Sequence, residues 1–388
     1  MKRWGVAIIL VIGGVAAFIT LPSNYYLRRA LVHLTPKIDQ YPIFENRVVK
    51  AENPAPWELS PHYNQAAIPE QLEAEFDKYG TVAFVVIKDN QLLFESYWKD
   101  YSSSSRSNSF SMAKSIVALG IGCAIDDGLI RDVNQPVRDF IPDFPGFDGE
   151  VLTIRHLLTM SAGVDFEEAY TSPFSPTTQL YYGNNLERVA YSMNEIEKPG
   201  VNFVYQSGVT QLLAFVLEKA TGERLSDYVS RKLWTPMQAE ENALWSLDKA
   251  DGMEKAYCCF NSNARDFARF GQLVLNKGGW NGEQLISSSF LEAATTPDNS
   301  LLFAEYNEPN QCYGYQFWHL TYRNMEIPYM RGILGQYVFI LPEQHAVIVR
   351  LGEKRSETRT AQHYPDDIDI WLEAGLSIIA NSNQTTTN

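Results

Sequence analysis

Cysteine is scarce in this chain, and the few present form no pattern. Cys123, Cys258, Cys259 and Cys312 are the only four among 388 residues. Their spacing matches neither a disulfide framework nor a C-x-x-C zinc site. Cys258 and Cys259 are neighbours that would strain to pair with each other, so four buried thiols are expected. Histidine is thin as well. His33, His62, His156, His319, His345 and His363 are scattered, with no H-E-x-x-H or H-x-x-E-H pattern, which excludes the metal-hydrolase motifs. No metal and no cofactor is expected. No G-x-S-x-G occurs, and strand and helix signals do not alternate, which disfavours a Ser-His-Asp α/β-hydrolase. Positive charge is in deficit. The chain has 32 Lys and Arg against 46 Asp and Glu, a formal net charge of -14. With no basic stripe to offset it, such a surface repels nucleic-acid phosphates, and no nucleic-acid partner is expected. Internal repeats and low-complexity blocks are absent too.

What is present begins with one long apolar run. Lys2 and Arg3 precede "WGVAIILVIGGVAAFITL", residues 4–21, which carries no charge. A bilayer crossing needs about 20 apolar residues, and about 17 can suffice. Two readings stand. One is a cleaved signal peptide, with Val15-Ala16-Ala17 as the small-residue cleavage site. The other is a retained anchor, because Phe18, Ile19 and Leu21 continue past that site. The anchor is the preferred reading. Under either, the remaining chain is exported to a periplasmic or extracellular face, and residues 4–21 contact the membrane if they are kept. Residues 1–24 are assigned to this segment and 25–75 to a linker and lead-in containing prolines. Residues 76–381 form the folded domain, and 382–388 form a polar tail that frays. Bulk composition, 45% hydrophobic and 20% charged, argues for a globular core and against disorder.

The segments "TVAFVVI" and "QLLFESYW", separated by "KDN", read as a hairpin. Helical signals dominate the middle, best in "SIVALGIGCAIDDGL", "TIRHLLTMSAG" and "GVTQLLAFVLEKATG". Gly163 and Gly222 stand where helix C-terminal glycines are expected. Strand signals return with "YGYQFWHLTY", "YVFILP" and "HAVIVRLG", and a last helix follows in "DDIDIWLEAGLSIIA". The class is α+β: an antiparallel sheet from residues 76–110 and 310–381, flanked by helices, with a large helical insert over 111–309.

Chemistry concentrates in "NSFSMAKSIVALG". Ser111 and Lys114 are three residues apart, so a helix puts them on one side. A serine hydroxyl attacks well only when a base takes its proton. Burial in apolar surroundings disfavours an ammonium, which suits Lys114 to that task. By itself S-x-x-K is weak. A second copy, Ser246-Leu-Asp-Lys249, has no apolar helix behind it, whereas the first follows a Ser-rich loop and opens one. A third proton carrier is found in Tyr205, just ahead of the "GVTQLLAFVLEKATG" helix, with Ser207 two residues on. Gly332 and Gly335 in "YMRGILGQYVFILPE" mark a close backbone approach or a plain turn.

With "LTIRHLLTMSAGVDF", "NARDFARFGQLVLNKGGWNGEQLIS" and "GILGQYVFILPEQHAVIVRLG" in the same order, the chain resembles the serine beta-lactamase-like family. That family spans penicillin-binding DD-peptidases, class C beta-lactamases, esterases and 6-aminohexanoate-dimer hydrolases. The resemblance implies an acyl-enzyme on Ser111, with Lys114 as its base and Tyr205 sharing proton transfer. It implies an oxyanion hole from the backbone N–H groups of Ser111 and Ile333, and a substrate site at Ser207, Gly332, Tyr182 and Asn185. Met330 and Arg331 depart from the K/H-T-G motif, which points away from penicillins and toward the esterase and 6-aminohexanoate-dimer hydrolase branch. The expected substrate is a small ester, amide or peptide. A beta-lactamase or DD-peptidase is the alternative, and a non-catalytic binding or sensor protein on the same fold is the reading from another class.

Overall fold

Hydrophobic runs bounded by turn residues build the sheet. In the computed structural model, which describes residues 4, 13–14, 17–142, 144 and 151–384, Thr81–Lys88 and Gln91–Tyr97 form the expected hairpin. Its turn residues Asp89 and Asn90 have φ of 50° and 61°, a conformation that Asp and Asn tolerate. Six antiparallel strands lie in the order Trp318–Tyr322, Met325–Gly332, Gln336–Leu341, Ala346–Gly352, Thr81–Lys88, Gln91–Tyr97. Both ends of the chain therefore close one sheet, as expected.

Val82–Ile87 and Ala346–Val349 are buried without alternation, which requires cover on both faces. Two helices provide it. A Cβ on Gly271, in Ala264–Leu275, would meet Val347 and Val338 at 2.7 and 2.8 Å. A Cβ on Gly375, in Ile368–Gln384, would meet Ile348 at 2.2 Å. Val347 and Ile348 are consecutive in one strand and point to opposite faces, so the two helices sandwich the sheet. Glycine at each contact lets backbone approach side chain.

The helical insert carries Met112–Asp126, which packs on Ser207–Thr221 and on the strand Met325–Gly332. That junction of insert and sheet positions the site. Gly222 closes the second helix with φ 69°, as expected. Gly163 does not cap a helix: Ile154–Leu158 ends before it, and Gly163 turns the loop with φ 71°.

Three expectations change. Residues 25–75 are not a mere linker. Tyr25–His33 is a helix, Asn46–Val49 pairs with Ala243–Ser246, and Trp57 Nε1 donates to Arg265 O at 3.0 Å. The last helix runs on to Gln384, so the tail read as frayed from residue 382 is helical there, and 385–388 lie outside the described residues. Cys258 and Cys259 are joined as a disulfide, and only Cys123 and Cys312 are buried free thiols. In an extended chain neighbouring side chains diverge. Here Cys259 turns the backbone with φ 67°, and Asn108 Oδ1 accepts its N–H at 3.1 Å. The segment 4–21 falls largely outside the described residues. Among the described residues no helix is long and apolar enough to cross a membrane.

Candidate active site

Asn108 builds the approach to the site. Its side-chain oxygen accepts the N–H of Phe110 at 2.8 Å as well as that of Cys259. Phe110 is held at φ 43°, a strained conformation for a bulky residue and one that collects at functional sites. The chain then enters the helix at once, with Ser111 at its N-cap and Lys114 one turn in. The N-terminal end of a helix favours negative charge, which places Ser111 where an alkoxide or oxyanion is stabilised.

Lys114 is 1% exposed on a helix buried from Met112 to Ala124. Its carbon stem meets the apolar surroundings that the sequence implies, but its Nζ sits among oxygens. It donates to Ser111 Oγ at 3.0 Å, Ser207 Oγ at 3.1 Å and Tyr257 O at 2.9 Å. Ser207 opens its own helix, and its N–H and Oγ–H donate to the two carboxylate oxygens of Glu168 at 2.6 and 2.7 Å. Tyr170 OH donates to the same carboxylate at 2.5 Å. A continuous hydrogen-bonded chain thus runs from Ser111 through Lys114 and Ser207 to Glu168.

Tyr205 joins the cluster by its ring, whose centroid is 5.0 Å from Lys114 Nζ. Trp318 and Tyr313 hold the ring, with centroids 5.2 and 5.9 Å away. Gly332 ends its strand against the Ser111 loop. A Cβ there would stand 2.3 Å from Ser109 O, so only glycine admits this approach. Ile333, the next residue, lines two cavities, of about 520 and about 540 Å³, and so do Ser111 and Tyr170.

The structure therefore brings together Ser111, Lys114, Tyr205, Ser207, Gly332 and Ile333. Tyr182 lines the first cavity, where its hydroxyl donates to Leu34 O at 3.0 Å. Asn185 does not reach the site. Gly183 ends the preceding helix, and Asn185 Oδ1 instead caps Leu186–Ala190 by accepting Arg188 N–H at 2.9 Å. Sequence reasoning missed Glu168, which nothing local separates from Glu167. It also missed the role of Tyr257 O, since a backbone carbonyl leaves no mark in the sequence. Arg331, which departs from the K/H-T-G motif, stands at the site all the same. It lines the second cavity with its guanidinium 3.3 Å over the Trp318 ring, while Met330 is fully buried.

A family model described as Beta-lactamase matches residues 69–370. A 6-aminohexanoate-dimer hydrolase of Paenarthrobacter ureafaciens is 27% identical over 296 residues, covering 72% of this chain and 74% of that protein. Among solved structures, a Bacillus anthracis protein assigned as a 6-aminohexanoate-dimer hydrolase superposes with a TM-score of 0.74 at 24% identity, over 88% of this chain and 92% of that one. A family VIII carboxylesterase superposes with a TM-score of 0.63 at 16% identity, over 83% and 98%. At these identities the structural likenesses speak to fold.

Proposed function

This chain belongs to the beta-lactamase family and is a serine hydrolase, and on that premise we propose that it cleaves an ester or amide bond through a covalent acyl-enzyme on Ser111. The observation that carries the reading is the chain Ser111 Oγ–Lys114 Nζ–Ser207 Oγ–Glu168, which begins at Ser111 where two cavities meet and ends in a carboxylate lining the second.

The steps follow from that chain. Lys114 passes a proton to Ser207 Oγ while Ser207 passes its own to Glu168, which leaves a free amine beside Ser111. The amine takes the Ser111 proton as Oγ bonds to the substrate carbonyl carbon. The backbone N–H groups of Ser111 and Ile333 receive the oxyanion. The bond to the leaving alcohol or amine then breaks, and the proton on Lys114 reaches that group, with Tyr205 sharing the transfer. Water next adds to the acyl carbon, gives a proton to the same base, and expels Ser111 Oγ with its proton restored. The absence of a Lys or His at Met330 and the 6-aminohexanoate-dimer hydrolase relative favour an ester or amide hydrolase over a beta-lactamase or DD-peptidase. The intact polar chain argues against a purely binding protein. The apolar segment behind Lys2 and Arg3, together with the Cys258–Cys259 bond, supports export to an oxidising compartment.

Intact-mass spectrometry with a fluorophosphonate probe tests the nucleophile. Wild type is expected to gain one adduct and Ser111→Ala none; equal labelling of both rejects the assignment. Turnover of p-nitrophenyl esters but not nitrocefin is the expected outcome of a paired assay.

A further inference from the structure

The two cavities that meet at Ser111 differ in character. The second carries Arg331, Arg355, Arg359, Glu168 and Glu305 in its walls. The first, of about 520 Å³, is walled by Phe110, Tyr181, Tyr182, Ile333 and, from the N-terminal helix and its exit, by Ala30 and Leu34. Several of its polar side chains are already engaged, and the hydroxyls of Tyr181 and Tyr257, which have no hydrogen-bond partner among the described residues, are buried from solvent. Thr177 Oγ1 donates to Glu167 O at 3.1 Å, Thr178 Oγ1 to Ser172 O at 2.8 Å and Tyr182 OH to Leu34 O at 3.0 Å. What the wall exposes is mainly hydrocarbon. The volume falls within the about 300–1,000 Å³ of cavities that enclose a drug-sized ligand, far more than an acetyl group fills. Leu31 and Leu34 line it while 57% and 72% exposed, so among the described residues apolar surface lies uncovered at its mouth. The Tyr182–Leu34 hydrogen bond and the packing of Arg29 over Phe44, 4.7 Å to the ring centroid, fasten this helix in place as a wall.

We propose that the first cavity holds a long apolar arm of the substrate, so that the enzyme acts on a lipophilic ester or amide whose other, polar arm lies toward the arginines. This rests on Ser111 being the nucleophile, because the cavity begins there. A substrate arm of bare methylenes gains from each one buried about 0.8 kcal/mol, or about fourfold in kcat/KM. A polar arm would lose its water without finding partners.

The test uses the full chain in two readouts. Methyl octanoate and octyl acetate are compared with methyl acetate, and p-nitrophenyl acetate, butyrate, hexanoate and octanoate are compared with one another. On at least one side of the scissile bond, kcat/KM is expected to climb by about threefold to fourfold per methylene until the cavity is full. Ala30→Trp, at a partly buried wall position, is expected to lower the long-to-short ratio at least about tenfold. A flat series on both sides, or an unchanged ratio in Ala30→Trp, overturns the inference. Binding of a dansyl fatty acid to Ser111→Ala protein, followed by fluorescence, reads the cavity without catalysis. Saturable binding weakened by Ala30→Trp supports the arm, and no binding overturns it. Should Ser111→Ala hydrolyse the esters as fast as wild type, the acyl-enzyme reading fails, and the dansyl experiment still decides what the cavity holds.

Discussion

Lys114 has a buried stem and a solvated-looking tip, with three oxygens standing where water would be. Glu168 gives this arrangement its direction, because it is the one carboxylate in the relay of Ser111, Lys114 and Ser207 and it holds Ser207 by two hydrogen bonds. A carboxylate that only capped the helix would influence stability; one that receives a proton from Lys114 through Ser207 also influences the pH dependence of the rate. Glu168→Gln keeps the shape and removes the acceptor of that proton. The expected result is a fall in kcat of about 10²-fold at neutral pH together with a changed pH–rate profile. A pH–rate profile parallel to that of wild type would show that Glu168 acts only as a cap.

At the scale of elements, the decisive contact is between the end of Met325–Gly332 and the loop leading into Met112–Asp126. Ser109 O would lie 2.3 Å from a Cβ at Gly332, and a backbone oxygen cannot swing aside as a side chain can. Gly332→Ala is therefore expected to push the strand end from Ser111, shifting the Ile333 N–H from the place where an oxyanion forms. Misplacement by about 1 Å can cost about 10²-fold in rate. The measurement is kcat with p-nitrophenyl acetate beside a thermal melt, and a variant as active as wild type removes Ile333 from the oxyanion hole. The same strand illustrates what local pattern leaves obscure. Pro328 and Arg331 interrupt its apolar run, so it is missing from the strands expected from sequence, whereas pairing on both sides, with Trp318–Tyr322 and Gln336–Leu341, makes it an eight-residue strand.

Across the whole molecule, burial of charge sets how stability follows pH. Lys255 lies fully buried under the helix Pro176–Tyr182 and donates to Leu180 O at 2.8 Å. Burial, opposed by Asp248, lowers it from its ordinary value to about 7. Glu218 is raised to about 7 by burial and by the neighbouring Glu254. The signs differ. From its ordinary 4.5 up to about 7, Glu218 keeps a proton in the folded state that the unfolded chain has lost, so its contribution to stability declines as pH rises. From about 7 to about 10 the unfolded chain holds a proton on Lys255 that the folded state lacks, so stability climbs with pH. Each slope is bounded by about 1.4 kcal/mol per pH unit. Urea unfolding of Glu218→Gln is expected to lack the first decline relative to wild type, and that of Lys255→Met to lack the later climb. Parallel stability curves for variant and wild type would contradict both assignments.

The sequence by itself determined what depends on near neighbours. A three-residue spacing at the start of an apolar helix puts Ser111 and Lys114 on one side. Buried alternation-free runs make central strands, and Gly222 ends a helix because it accepts a positive φ. What only the tertiary structure decided is what depends on distant segments meeting. Ser207 lies 93 residues from Lys114, and the carbonyl of Tyr257 lies 143 residues away. Glu168 becomes part of the relay only because its loop folds over the start of the Ser207 helix. Residues 25–49 read as a linker because a short helix and an edge strand carry little apolar pattern of their own, and they become structure only where the domain supplies their other half. Asn185, close in sequence to Tyr181 and Tyr182 at the cavity, is held away because the helix Pro176–Tyr182 ends at Gly183 and Asn185 caps the next one. Hydrogen bonds and cavities act over a few ångströms of space, and distance along the chain does not report that separation.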